Sequence, residues 1–493
     1  MGVVALYELL CRVLERRRTA AAAAATALCM GIPALLAAQN WDDHDRSHRT
    51  MARDIGWNYL QSTLPNSIIL NYGDNDTFPL WNNQDVYGVR PDVRIMNTSY
   101  LGGEWYIDQM KRRAYEAPGV PFSLPKHKYT HVNDQVPVYE RVDRTVELKE
   151  AIDFVRSDDP RTQVRLDDGT AEGSLSDYFP TRRLALPVDK QNAIVAGIVR
   201  EDERDLMVDT VYINLKRNSV DKPQLMILDM LAHFDWKRPI YLTQPYIFEQ
   251  LGLLDYLQFD GYAYRLVPIR TEAKDYREIG RIDPDYAAPL LRDTFRYGNL
   301  SDPRVYVDHF IQYNLEAAHA RDAFARVAKE LLRRNRTREA VELLDLGLER
   351  LPVEALRFTE DNTYPFVEAY YVAGAQGDEA ATAKGDALLR AYADNIIEYI
   401  EYYLRFDGVQ ADLVADSFAR RLDELNRAYL LANYAGRREI VDYLNDYYRS
   451  LGVGDEDLFL DEELTPLDAA EVGEAGDVGE AGAIGNVGES GQE

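Results

Sequence analysis

Apolar positions change their spacing several times along this chain, and each change marks an element. Residues 3–14 (VVALYELLCRVL) are apolar but broken by Glu8 and Arg12, as in an amphipathic helical piece. Thr19 to Gln39 follows without a charge, about 20 residues and roughly the length a helix needs to cross a hydrocarbon core. Arg16, Arg17 and Arg18 precede it, while Asp42, Asp43 and Asp45 follow. The positive-inside rule then places the N-terminus in the cytoplasm and everything after Trp41 outside, with Trp41 as an interfacial anchor. A signal peptide would have the same polarity, but the apolar region is long and no clear A-x-A cleavage site appears before Asn40. A buried helix of a soluble protein is the competing expectation.

Past residue 40, helical and strand periods alternate. Met51, Ile55, Tyr59 and Leu60 predict a helix over 43–63, ended by Pro65 and Asn66. Ser67–Asn71 reads as a buried strand, 73–78 as a loop, and a helix runs through Trp81 and Val86. A second strand (Arg94–Asn97) and a helix (Trp105–Tyr115) repeat the unit. Residues 117–146 read as an irregular excursion, Val146–Val155 as a helix, and 161–190 as short strands including Leu184–Val188. Thr210–Leu215 is a strand, Pro223–Phe234 an apolar helix, Pro239–Thr243 a strand, and Tyr262–Ile269 a closing strand. This alternation predicts an α/β layer with a parallel or mixed sheet.

From about residue 285 the pattern is all helical. Phe324–Leu332 and Glu339–Leu348 form a pair around a polar turn at 333–337, and further pairs fall near 363–404 and 411–450. Their length suits tetratricopeptide-like units of about 34 residues, which stack on neighbours to bury their faces. Residues 453–493 are rich in Gly and Glu, so a disordered, solvating tail is expected. The expected class is α+β, divided as a stub and membrane helix (1–40), an extracytoplasmic α/β domain (41–284), a helical-hairpin domain (285–452) and the tail.

Composition narrows the functions. The formal net charge is -27, and 13 of the 83 acidic residues lie in the tail between Asp455 and Glu493. A chain this acidic repels phosphate backbones, which excludes nucleic-acid partners. Arg outnumbers Lys 45 to 11, which fits a surface that needs salt to screen it, or simply G+C-rich codon usage. The two cysteines, Cys11 and Cys29, both lie in the apolar N-terminal region, so no disulfide framework exists beyond it.

The sharpest candidate chemistry is Asp74-Asn75-Asp76 directly after a hydrophobic strand, where an α/β sheet places its ligands. These carboxylates suit a divalent cation, and the D-x-D resembles the metal and nucleotide-sugar site of one glycosyltransferase class. Helix capping is the bland alternative. Asp43, Asp45 and Arg46, with His44 and His48 at i and i+4, form a second cluster that reads as metal ligands or as a polar helix start. Trp81 and Arg238 are supporting candidates; Arg238 would pair with Asp74, with Asp229 or with an anionic ligand. His127 and His131 have no nucleophile beside them in sequence. No G-x-S-x-G, Walker A, dinucleotide fingerprint or H-E-x-x-H occurs, so no metal site and no catalytic residue is assigned.

QNWDDHDRSHR (39–49), ILNYGDNDTFPLW (69–81), DVRIMN (92–97), WYIDQMKRRAYE (105–116), LMILDM (225–230), WKRPIYL (236–242) and YAYRLVP (262–268) together resemble the C-terminal half of a family of large bacterial membrane proteins. That family is related to the protein O-mannosyltransferases, the GT-C class of multispanning glycosyltransferases. The resemblance covers roughly residues 20–270. It implies a many-helix membrane half that holds the catalytic acid on an early extracytoplasmic loop and uses a lipid-linked sugar donor. This chain carries only the last spanning segment of that half, so the catalytic position has no counterpart here. A split gene, a mis-set start and a free-standing accessory subunit are the three readings. The function expected is an acceptor-recognition part of such an enzyme, inactive alone, with the bilayer, a multispanning subunit and an acceptor polypeptide or glycan as partners. The groove between the α/β domain and the helices is the expected binding place. A cell-envelope scaffold and a metal-dependent enzyme centred on Asp74 and Asp76 are the alternatives.

Overall fold

The computed structural model describes residues 2–14, 17–166, 174–272, 278–308 and 317–453. The acidic tail expected at 453–493 lies outside them, apart from Val453. Two helices come first, α1 (Gly2–Val13) and α2 (Arg18–His44), and α1 packs against α2. Arg18–Trp41 is long and apolar enough to cross a membrane, and little of it is covered by the rest of the molecule.

The helix expected over 43–63 is two elements. α2 runs on to His44, and α3 spans Met51–Ser62. The break is held by Asp45, whose Oδ1 accepts from Ser47 N at 2.8 Å and so closes a turn. His44 and His48 fall on opposite sides of it and share no helix face. β1 (Ile68–Asn71) follows, then α4 (Asp74–Trp81), which continues into a π turn over Asn82–Val86. β2 (Arg94–Asn97) and α5 (Glu104–Met110) complete the unit. α5 stops earlier than its apolar spacing suggests, because Ala114 and Ala117 close a tight bridge and Tyr115 takes a positive φ of 52°.

The middle of the chain gives β3 (Gln135–Pro137), β4 (Val146–Glu147), α6 (Leu148–Arg156), β5 (Gln163–Leu166), β6 (Ser174–Asp177), β7 (Arg183–Pro187), α7 (Lys190–Val195), β8 (Thr210–Asn214) and β9 (Ser219–Asp221). α8 (Lys222–His233) opens with a capping box between Asp221 and Gln224, and Pro223 sits in its first turn, where a missing N–H costs nothing. Then come β10 (Ile240–Leu242), α9 (Tyr246–Glu249), β11 (Leu257–Phe259), β12 (Tyr264–Leu266), β13 (Arg281–Ile282) and α10 (Pro284–Pro289).

The main sheet has six strands in the order β13-β11-β12-β10-β1-β2. β1 lies parallel to both β10 and β2, with Ile68 opposite Ile240 and Arg94. β12, expected to close the sheet, instead sits antiparallel between β10 and β11. A buried staple holds it there: Arg265 of β12 pairs with Asp260 at 3.1 Å, and Tyr241 of β10 donates to Asp260 at 3.0 Å. Burial pushes the Asp260 carboxyl up and Arg265 pulls it back, so a removed partner would leave a stranded charge.

Alternation along the central strands feeds two cores. Ile68, Leu70, Met96, Ile240 and Leu242 face α5, α6 and α8, whereas Ile69, Ile95 and Tyr241 face α3, α4 and the C-terminal helices. Gly56 of α3 permits the contact with α4, since a Cβ there would lie 2.2 Å from the Pro79 carbonyl oxygen.

The C-terminal part is helical: α11 (Ala317–Arg333), α12 (Thr337–Arg350), α13 (Glu360–Ala375), α14 (Glu379–Tyr403), α15 (Gly408–Tyr434) and α16 (Arg438–Ser450). Phe324 and Leu331 of α11 join Met51, Ile55 and Tyr59 of α3 in one buried cluster. The expected binding groove between sheet and helices is therefore filled by core.

Candidate functional site

Three parallel strands, β10, β1 and β2, end on one edge. The chain leaves β1 toward β2 through α4 on one face of the sheet and reaches β10 through α8 on the other. The strand order thus reverses between β1 and β10, where open α/β sheets place their ligands.

The floor of this crevice is polar and buried. β1 and β2 each end in asparagine, and the Nδ2 groups of Asn71 and Asn97 both donate to the Thr77 hydroxyl oxygen, Asn97 at 2.8 Å. The Thr77 hydroxyl donates in turn to the Gly73 carbonyl. Asn97 Oδ1 accepts from Ser99 N at 2.8 Å, whereas Asn71 Oδ1 is buried with no hydrogen-bond partner among the described residues. Asp76 Oδ2 accepts from Tyr72 N at 3.3 Å and from the Thr243 hydroxyl, which ties the loop after β1 to the end of β10.

Gly73 precedes α4 with φ +76, a conformation that glycine adopts without strain. Because that turn caps the helix with no side chain, Asp74-Asn75-Asp76 form the first turn of α4, not the loop expected before it. Their charge suits the positive end of the helix. Asp74 and Asn75 are exposed, whereas Asp76 is buried. No group of three or more His, Cys, Asp or Glu arranged to hold a metal occurs among the described residues.

The rim is aromatic. Tyr72 packs edge-on to Tyr246 across the crevice at 5.3 Å between centroids. Beside it a run of rings passes from Phe78 to Trp81 (6.0 Å), to Tyr100 (6.3 Å) and to Trp105 (6.2 Å). Tyr72, Phe78 and Trp105 leave 53%, 52% and 63% of their surface exposed, a large apolar area above a buried amide floor.

The other sequence candidates lie elsewhere. Arg238 precedes β10 and therefore sits at the opposite end of the strands from Asp74. Its Nε donates to Asn66 O at 3.0 Å and its Nη1 to Gly119 O at 3.0 Å, so it clamps carbonyls and forms neither expected ion pair. Burial, aided by the nearby charge of Arg94, lowers its pKa to about 10. Asp229 instead accepts from Ser123 N and Oγ and from Leu124 N. Arg46 pairs with Asp308 at 3.2 Å, Asp45 holds its turn, and the Asp43 side chain lies outside the described residues. His127 pairs with Asp158 and His131 with Glu104. Trp81 alone of the supporting candidates joins Asp74–Asp76 at the crevice. Asn71, Asn97, Thr243, Tyr100 and Tyr246 were not legible as site residues, although the parallel endings IILN and RIMN carried a signal for two of them.

Two surface cavities, of about 530 and 590 Å³, lie away from this crevice and flank β8. They are open and lined by paired charges, whereas the crevice unites the strand ends, the buried amides and the exposed rings. It is the better candidate on chemistry.

Residues 52–286 match the model of the family described as TMEM260-associated domain 2. The match begins in α3 and ends in α10, so it contains the whole six-stranded sheet and the crevice. Nothing among the curated proteins and nothing among the solved structures matches the chain.

Proposed function

We propose that the chain is a membrane-anchored, extracytoplasmic recognition part of a GT-C-type protein glycosyltransferase, and that its crevice holds the glycan or polypeptide of the acceptor. The observation that carries this reading is the aromatic-rimmed, amide-floored crevice on a domain joined to a helix of membrane length. Ring faces stack on the C–H faces of sugars, and amide groups exchange hydrogen bonds with hydroxyls. Arg16, Arg17 and Arg18 before the uncharged stretch 19–39, and Asp42, Asp43 and Asp45 after it, support the outward placement. Catalysis and the lipid-linked donor belong to a multispanning partner subunit. The helical hairpins after residue 317 act as tetratricopeptide-like packing units that support the sheet, and the acidic tail solvates the surface.

Glycosylation of membrane proteins is compared in cells with the chain deleted, restored, or restored as Tyr72→Ala/Trp105→Ala. Loss on deletion, regained only with the unaltered chain, is the expected result. Unchanged glycosylation on deletion removes the reading, and a cytosolic reporter signal from a fusion near residue 60 removes the topology.

A further inference from the structure

Strand β8 is the outer strand of the sheet β4-β7-β8, and its backbone groups alternate between two edges. Val211 and Ile213 sit opposite Leu186 and Leu184 and bond to β7, and Leu215 N continues the pattern by donating to Arg182 O at 3.0 Å. The other edge belongs to Val208, Thr210, Tyr212, Asn214 and Lys216. Its two ends are closed. Val208 N donates to Pro268 O at 2.9 Å, Asn214 N to Leu251 O at 3.1 Å, and Lys216 N to Gln250 O at 3.2 Å. Gly252, at φ +69, allows the close approach there, since a Cβ would lie 3.2 Å from Asn214 O.

Between these closures the edge is open. The N–H and C=O groups of Thr210 and Tyr212 have no hydrogen bond to another described residue. A cavity of about 590 Å³ occupies the gap, lined by Asp209, Thr210, Tyr212, Gly252, Asp255 and Arg270. The edge is thus an interrupted ladder with a slot where a strand is missing. Two residues apart along a strand is roughly 7 Å, and only another polypeptide backbone repeats donor and acceptor at that spacing. Tyr212, 60% exposed, offers its ring as a cross-strand neighbour, and Asp209, Asp255 and Arg270 put both signs of charge on the rim.

We propose that this slot binds an extended polypeptide segment of a partner chain as an added strand, paired to the backbone of Thr210 and Tyr212. The slot is distinct from the aromatic crevice, and the inference does not rest on the reading of that crevice. Proteins commonly protect such edges, and here both ends are protected while the centre is left as a socket.

The test uses the full chain in lipid nanodiscs and a displayed library of random ten-residue peptides. Enriched peptides are synthesised and their affinity measured by fluorescence anisotropy. Tyr212→Pro removes one outward N–H and leaves the bonds to β7; it should weaken binding at least tenfold, whereas Tyr212→Ala, which keeps the backbone donor, should change it less than threefold. N-methylation of the peptide at the paired position should weaken binding to the unaltered chain by the same factor, which keeps the test decisive if the proline variant misfolds. Hydrogen exchange should show the amides of residues 210 and 212 unprotected in the free chain and protected with peptide. Failure to enrich any peptide, binders indifferent to both changes, or amides already protected without peptide would each overturn the proposal.

Discussion

The two ends of the same three strands are built in opposite ways. At the start of β1, β2 and β10, arginines grip backbone carbonyls. Arg90, at φ +50, donates to the carbonyls of Leu60, Thr63 and Leu64 and to both oxygens of Asp92. Arg94 donates to Gln109 O and Arg238 to Asn66 O. At the far end, amides and hydroxyls bond among themselves in the floor, and the large side chains above them stand half in solvent. One end spends its polar groups on joining segments of its own chain; the other leaves area and hydrogen-bonding capacity for something else. Burial of polar groups alone therefore does not mark a site. What marks it is buried polarity beneath exposed apolar surface.

The sharpest way to break this contrast is at the clamped end. Arg90→Ala strands three carbonyls and Asp92, and should lower unfolding stability by about 3 kcal/mol in urea titrations with no specific effect on ligand binding. Thr77→Val in the floor leaves the Asn71 and Asn97 amides without their shared acceptor, and should cost about 2 kcal/mol while also weakening saccharide binding. Tyr72→Ala with Trp105→Ala removes the rim. Stability should shift by less than about 0.5 kcal/mol, because both rings are more than half exposed, while binding of neutral oligosaccharides to the nanodisc-embedded chain, read by calorimetry, should fall about tenfold. A large stability loss in this pair would mean that the rim is structural, and the contrast between the ends would fail.

The smallest effect is a pH dependence away from both ends. His233, at the end of α8, has its pKa raised above 6.5 by its hydrogen bond to Asp229, against the effect of burial. A raised folded pKa gives stability that is fully present below the unfolded value and fades as pH rises through the folded one. Melting temperature should therefore fall as pH rises past 6.5, and His233→Gln should flatten that slope.

Much of the fold was legible because buried parallel strands and amphipathic helices write strong periods. IILN, RIMN and PIYL fell where expected, as did the helix pairs after residue 317. The strand at 262–269 was legible as a strand but not by its place, which a buried Asp260–Arg265 pair decides and no local period encodes. The start of α4 was misplaced because Gly73 caps it by backbone conformation alone. At the site, Asp74–Asp76 drew attention through charge, yet two of the three point outward. The floor of Asn71, Asn97, Thr77, Thr243 and the buried Asp76 is assembled from three strand ends and the start of α4, and only tertiary structure brings it together.

The short stretch after α2 has a mechanical consequence. Arg46 and Arg49 both hold Asp308, Thr50 N donates to Gly298 O, and Asp54 Oδ2 accepts from Gly298 N. A domain on a slack leash samples a hemisphere of positions, whereas one bolted at its stalk presents the same profile at a constant height. With α2, which is long and apolar enough to cross a membrane, seated in a bilayer as proposed, these contacts would set the elevation and bearing at which the crevice is presented, making the helix a ruler as well as a tether.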